Sequence, residues 1–165
     1  MCIRDSLGAL LIDRAGAQGS VTLSNSDSGD DNVLQRGLAN QAYGIKIDNS
    51  AATHTVTGTQ ILNTGGDSIV VNDGAANMNF TGKIERTTPN VNSILSVTGG
   101  HTGSLTFTEL TADEGVILAS SGDGLQFNDA DGVYTFNDLV RFNGTASEAV
   151  HVQGDSTAVL TFQNM

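Results

Sequence analysis

The chain has 165 residues and a net charge of −11, from 18 acidic and 7 basic side chains. This acidic balance argues against a nucleic-acid partner, because nonspecific binding needs a basic surface that displaces counterions from phosphates. It also disfavours an anionic membrane surface. The longest strictly apolar run, residues 9–12, is far shorter than the roughly 20 residues of a membrane helix, so we predict no membrane insertion.

The two ends of the sequence differ from the rest. Residues 1–6, Met-Cys-Ile-Arg-Asp-Ser, resemble a translated sequencing-adapter remnant of the kind found at the start of metagenomic gene fragments. We therefore exclude residues 1–7 from the fold as a non-native leader. The last residues, 160–165, alternate like a strand. We expect residues 8–165 to be a single repeat segment that is truncated at both ends.

A short apolar segment followed by turn residues recurs along the chain, at residues 9–13, 44–50, 68–73, 93–99, 115–120 and 149–154. The positions that we take as equivalent are Leu10, Ile45, Ile69, Ile94, Val116 and Val150, with spacings of 35, 24, 25, 22 and 34 residues. The two long spacings predict inserted loops near residues 27–43 and 123–132.

Two further strands follow each copy. The second strand is predicted at residues 21–23, 55–57, 78–80, 105–107, 134–136 and 160–162. The third is a shorter apolar stretch, predicted at residues 61–62, 84, 110 and 139–140. Gly, Asn and Asp between these stretches predict turns.

A unit of this length with three short strands fits one coil of a parallel β-helix. At about 3.3 Å per residue such a unit traces about 80 Å, and successive coils stack about 4.8 Å apart. We therefore predict an all-β protein, a right-handed parallel β-helix of about six coils. An antiparallel β-sandwich is the alternative, since it also has short strands and Gly-rich turns, but the repeat favours the β-helix.

Alternation along each strand predicts which side chains face the interior, because successive residues point to opposite faces. The predicted core is Ile45, Ile47, Val56, Ile69, Val71, Phe80, Ile94, Leu105, Phe107, Val116, Phe136, Val150, Val152 and Phe162. The three histidines, His54, His101 and His151, are expected to be exposed polar residues.

Segments such as residues 124–136 resemble those of large bacterial surface β-helix repeat proteins. These include autotransporter-like and filamentous-haemagglutinin-like adhesins, and they share their solenoid with pectin-lyase-like proteins. The resemblance covers most of residues 8–165. It implies an extracellular or cell-surface location and a non-catalytic structural or adhesive role, with a glycan or a protein as ligand and no cofactor. Uncapped strand edges also predict end-to-end self-association of the isolated chain.

The pectin-lyase-like resemblance implies an alternative function, a polysaccharide lyase or glycoside hydrolase. Glycosidases use paired carboxylates, and the adjacent residues Asp30 and Asp31 are the catalytic candidates of this alternative. The polygalacturonase motifs are not matched, because Asn63-Thr-Gly and Gly100-His-Thr depart from them and no Arg-x-Lys occurs. These departures favour a solvated loop at Asp30 and Asp31 and a protein that is not an enzyme.

Calcium is the cofactor that one motif suggests. Residues 128–132 contain Asp-x-Asp-Gly, and alignment with an EF-hand loop makes Asp129, Asp131 and Asp138 candidate ligands. Position 1 of that loop is Phe127, which supplies no carboxylate, so an ordinary Asp/Gly turn is favoured over a metal site.

Threonines alternate on several predicted second strands and are similar to the flat arrays of ice-binding solenoids. Such an array needs Thr-x-Thr on the same face of every coil. The equivalent coils offer Thr22, Asn79 and the pair Thr135/Asn137, which interrupts the pattern. We therefore expect these threonines to form an ordinary exposed strand face, which their β-propensity favours.

Overall fold

The computed structural model describes residues 10–13, 16, 20–24, 32–35, 43–112, 114–145 and 148–164. Within these ranges the secondary structure consists of strands and no helix. The strands are β1 Leu10–Asp13, β2 Thr22–Leu23, β3 Asn32–Gln35, β4 Tyr43–Ser50, β5 Thr53–Leu62, β6 Asp67–Gly74, β7 Asn77–Arg86, β8 Ser93–His101, β9 Ser104–Thr108, β10 Ile117–Ala119, β11 Asp123–Ala130, β12 Val133–Phe136, β13 Val140–Phe142, β14 Val150–Gln153 and β15 Val159–Phe162.

One face of the molecule, sheet A, stacks β1, β4, β6, β8, β11 and β14 in parallel. Its register aligns Leu10, Ile45, Ile69, Leu95, Leu125 and Val150. These positions are 35, 24, 26, 30 and 25 residues apart in the sequence. The predicted parallel β-helix is confirmed, with about four turns instead of six.

Sheet B forms the other two faces of each coil. Its longest strands, β5 and β7, each run along both faces, and β5 turns the corner at Gly58, whose φ of 63° suits glycine. The first halves of these strands stack with β2, β9, β12 and β15 to form the second face. The second halves stack with β3, β10 and β13 to form the third face.

The predicted repeat unit at residues 115–120 was assigned to the wrong face. Its residue Ile117 pairs with Ile84 and Val140, so β10 belongs to the third face instead of sheet A. The predicted third strand at Leu110 is also wrong, because that side chain is exposed. The apolar run Val116-Ile117-Leu118 shows no alternation, so the sequence pattern does not indicate which face of the coil it joins.

The inserted loop predicted at residues 123–132 is also wrong. It followed from taking residues 115–120 as the sheet A strand of this coil, whereas that strand is β11. Residues Asp123–Ala130 form β11, a central strand of sheet A. The extra residues of this coil instead connect β9 to β10, at positions 109–116. The other predicted loop, at 27–43, contains β3, and most of its remaining residues lie outside the described ranges.

The interior confirms most of the predicted core. Eleven of the fourteen predicted residues, from Ile45 to Phe136, are at most 1% exposed. Val150 and Phe162 are only partly buried, and Val152 is 46% exposed although its register with the buried Phe127 puts it on the inward side of sheet A. Among the described strands β14 pairs only with β11, and β15 only with β12, so no coil covers the far side of these residues.

A column of phenylalanine rings fills the interior behind the second face. The ring centroids of Phe80 and Phe107 are 5.9 Å apart. Those of Phe107 and Phe136 are 4.9 Å apart, as are those of Phe136 and Phe162, and these rings are tilted by only 5° and 7° from parallel. Aromatic pairs at these distances add to the stability that burial alone provides.

Replacing Phe107 with alanine tests the importance of this column. We expect Phe107→Ala to lower the free energy of unfolding by about 3–5 kcal/mol, because it leaves a cavity between two rings. Urea denaturation followed by circular dichroism measures the change. The control is Val91→Ala, whose side chain is 73% exposed and should change stability by less than about 0.5 kcal/mol. Equal effects of the two substitutions would contradict the interior assignment.

Candidate functional site

The third face carries a surface groove with a volume of about 190 Å³. The register places Leu118 of β10 between Glu85 of β7 and Arg141 of β13. These three outward side chains therefore form one row across three coils, about 4.8 Å from each to the next. The groove is lined by Glu85, Thr87, Leu118, Ala119, Ser120, Arg141 and Asn143.

The groove combines charged, polar and apolar groups. Lys83 lies beside it, with its Nζ 2.7 Å from a carboxylate oxygen of Glu85. Arg141 is exposed at the other end of the row. The volume is below the 300–1,000 Å³ typical of pockets for drug-sized molecules, so any ligand of the groove would have to be small or bind only in part. Its lining contains a single carboxylate, whereas the usual glycosidase mechanisms use two.

The catalytic candidates of the enzymatic alternative, Asp30 and Asp31, lie outside the described residues. On the outer surface of sheet A, the Lys46 ammonium is 3.1 Å from a carboxylate oxygen of Asp48. The other carboxylate oxygen of Asp48 accepts a hydrogen bond of 2.8 Å from Asn72. These side chains belong to a different face from the groove.

Two of the three calcium candidates accept hydrogen bonds from their own chain. Asp129, the last residue but one of β11, has a positive φ of 56° and is exposed. Asp131 accepts hydrogen bonds from the hydroxyl and the backbone N–H of Thr157, which lower the pKa of its carboxyl. Asp138 accepts one from the backbone N–H of Glu109. Within the described part of the chain, no cluster of three metal-binding side chains occurs.

Two histidines were expected to be exposed, and that expectation is wrong. His54 and His101 are both fully buried. The alternation could have placed His54 inside, since it precedes the buried Val56 by two residues and pairs with Met78 in the register. His151 is partly buried, with its Nδ1 3.8 Å from a carboxylate oxygen of Glu148.

His101 links three coils through the interior. Its Nε2 donates to the carbonyl oxygen of Ala76 at 3.0 Å, so its Nδ1 accepts from the Tyr134 hydroxyl, also at 3.0 Å. Burial lowers the pKa of His101, because the imidazolium would lose its hydration. Burial also raises the pKa of Tyr134 to about 12, which keeps the phenol protonated as a donor.

A buried arginine, which no sequence motif indicates, lies at the end of β7. Arg86, at the end of β7, is fully buried and crosses the inner corner between the third face and sheet A. Burial lowers its pKa to about 10, and the negative charge of Asp67 opposes that change. Its guanidinium donates to the hydroxyls of Thr64 and Ser68 and to the carbonyl oxygens of Gly66 and Asn92. The cluster therefore joins two turns of the solenoid, which is a structural role.

The described residues form a parallel β-solenoid with a small surface groove on its third face. Comparisons with protein-family models, with curated proteins and with solved structures find no match to this chain. Among the described residues no helix is long and apolar enough to cross a membrane.

The pKa of His101 predicts a loss of stability in mild acid. Above the unfolded value of 6.5 the ring is neutral in both states and the full stability is present. As the pH falls below that value the unfolded ring binds a proton before the folded ring does, so stability decreases. We expect the melting temperature to fall between pH 7.5 and pH 5.5, and to fall less in His101→Gln.

The comparison between the two proteins removes the contribution of the carboxylates, which both share. Scanning calorimetry in buffers of equal ionic strength measures the two slopes. If His101→Gln and the parent protein lost stability to the same degree, the buried neutral imidazole would not account for the pH dependence.

Proposed function

We propose that this chain is a structural or adhesive segment of a large secreted or cell-surface bacterial protein, and that it binds a glycan at the groove on the third face. The observation that carries the proposal is the in-register row of Glu85, Leu118 and Arg141. Hydroxyl and amide groups of Thr87 and Asn143 border this row. The stack of coils gives the groove a rigid frame.

The groove fits a sugar ring better than a peptide side chain. A sugar has hydroxyls on its rim and aliphatic C–H groups on its faces. Leu118 offers an apolar contact to such a face, while Glu85 and Arg141 offer a charged acceptor and charged donors to the hydroxyls. Hydrogen bonds to charged groups are the stronger ones.

The net charge of −11 favours a neutral glycan. A polyanion would be repelled by the acidic surface as it approached, whereas a neutral chain would not. A polysaccharide with repeating hydroxyls and no carboxylates or sulfates is therefore the ligand class that we propose.

Removing the guanidinium tests the groove. We expect Arg141→Gln to weaken binding to a neutral polysaccharide by about 10-fold, the effect of losing one charge-assisted hydrogen bond. Affinity electrophoresis in gels that contain soluble neutral polysaccharides measures this change. The control is Lys46→Gln, which removes the same charge from sheet A and should leave binding unchanged.

Two outcomes would contradict the proposal. Equal weakening by both substitutions would mean that net charge, and not the groove, controls binding. Release of new reducing ends or of unsaturated products from the polysaccharide would support the enzymatic alternative, and loss of that turnover in the double variant Asp30→Asn/Asp31→Asn would assign it to that pair.

The edge strands support a second interaction, between copies of the chain. We infer that copies associate end to end through β14 and β15, each of which pairs on one side only among the described strands. Val152 and Val159 on these strands are 46% and 54% exposed. Unpaired edges with apolar side chains are templates for another strand.

Sedimentation velocity tests this association. We expect the weight-average sedimentation coefficient of the parent protein to rise with concentration, and the rise to disappear in Val152→Lys, because a charge at the edge opposes stacking. The control is Val91→Lys, which adds the same charge in a turn away from the edge. A single monomeric species at high concentration would contradict the association.

A further inference from the structure

The outward side of the second face is a regular array of threonines, which we call the threonine face. Its first row follows the register of β2, β5, β7, β9, β12 and β15 and consists of Thr22, Thr55, Asn79, Thr106, Thr135 and Thr161. Two residues further along each strand, a second row contains Thr57, Thr81, Thr108, Asn137 and Gln163. The residues that interrupt the threonines are therefore Asn79 in the first row, and Asn137 and Gln163 at one end of the second row.

The threonine face carries no charge. The strands β2, β9, β12 and β15 and the matching parts of β5 and β7, residues 53–57 and 77–81, contain no Asp, Glu, Lys or Arg. The chain as a whole has 25 such residues, 18 acidic and 7 basic. Sheet A presents the Lys46–Asp48 pair, and the third face presents Lys83, Glu85 and Arg141. These charged side chains belong to the other two faces.

The interior holds the threonine face at a fixed repeat. Phe107, Phe136 and Phe162 lie directly behind it, with centroid spacings of 4.9 Å and near-parallel rings. The register is continuous across these coils and aligns Thr106, Thr135 and Thr161. Strand geometry then sets the spacings of the array, about 4.8 Å between coils and about 6.6 Å between rows.

The hydroxyls of this face are available to solvent. Those of Thr55, Thr106 and Thr135 make no hydrogen bond to another described residue, and these side chains are partly exposed. Each threonine also presents a γ-methyl group. The face therefore offers alternating hydroxyl and methyl groups in fixed positions, which bind and order water without losing conformational entropy.

The geometry points to ice as the ligand of the threonine face. The array repeats regularly in two directions and carries no charge, so its hydroxyls and methyls can hold a layer of water that merges with the crystal. A charged face would hold its own hydration shell instead. A crystalline polysaccharide fits less well, because the face has no outward aromatic ring among its described residues to stack on a sugar.

Freezing hysteresis tests this inference. We expect the full chain to lower the freezing point of a single ice crystal below its melting point in a nanolitre osmometer and to shape the crystal. A bulky side chain in the middle of the array should disrupt the layer of water. Thr106→Tyr and Thr135→Tyr should therefore each reduce the difference between the melting and freezing points several-fold. The matched control is Ser96→Tyr, which places the same ring on the outward side of sheet A.

The outcomes separate the alternatives. Circular dichroism spectra and melting temperatures like those of the parent protein show that each variant is folded. Loss of hysteresis in the two threonine variants, with the control unchanged, would support ice binding. The inference would be overturned by a parent protein without hysteresis or ice shaping, by an equal loss in Ser96→Tyr, or by binding of the threonine face to insoluble cellulose or chitin in place of ice.

Discussion

The structure depends on one constraint, the in-register parallel pairing of every coil with the next. Parallel pairing satisfies the backbone N–H and C=O groups of each strand from the coils on either side, and it stacks equivalent side chains in columns. The column of Phe80, Phe107 and Phe136 shows the consequence, because the register pairs these residues from coil to coil and so brings their rings into contact. The pairing thus fixes both the interior and the surface.

The same constraint explains why polar groups are buried at the corners of the coils. Where the backbone turns from one face to the next, carbonyl groups lie inside without a strand partner and need a donor. Arg86 supplies donors at the corner between the third face and sheet A. His101 supplies one at the corner between sheet A and the second face. Both side chains are ionisable, yet the observed contacts give them structural roles.

Columns also decide what the surface can do. A residue type that occurs at one outward position of each coil becomes a row, so a solenoid produces extended, repetitive surfaces on each of its faces. The threonine face and the row from Glu85 to Arg141 are two such surfaces, one uncharged and one charged. Repeating ligands, a neutral polysaccharide and an ice lattice, are the partners that we infer from them.

The sequence by itself determined the fold class, because the short repeat and the alternation of residues such as Ile45 and Ile47 come directly from the geometry of a β-strand. It also determined the columns of the second face from residue 78 onward, where the strands predicted at 78–80, 105–107, 134–136 and 160–162 agree with the observed register. Only the tertiary structure decided which face a short apolar segment such as β10 joins, and therefore where the groove lies. The physical reason is that alternation tells inside from outside, whereas the face depends on pairing with the neighbouring coil.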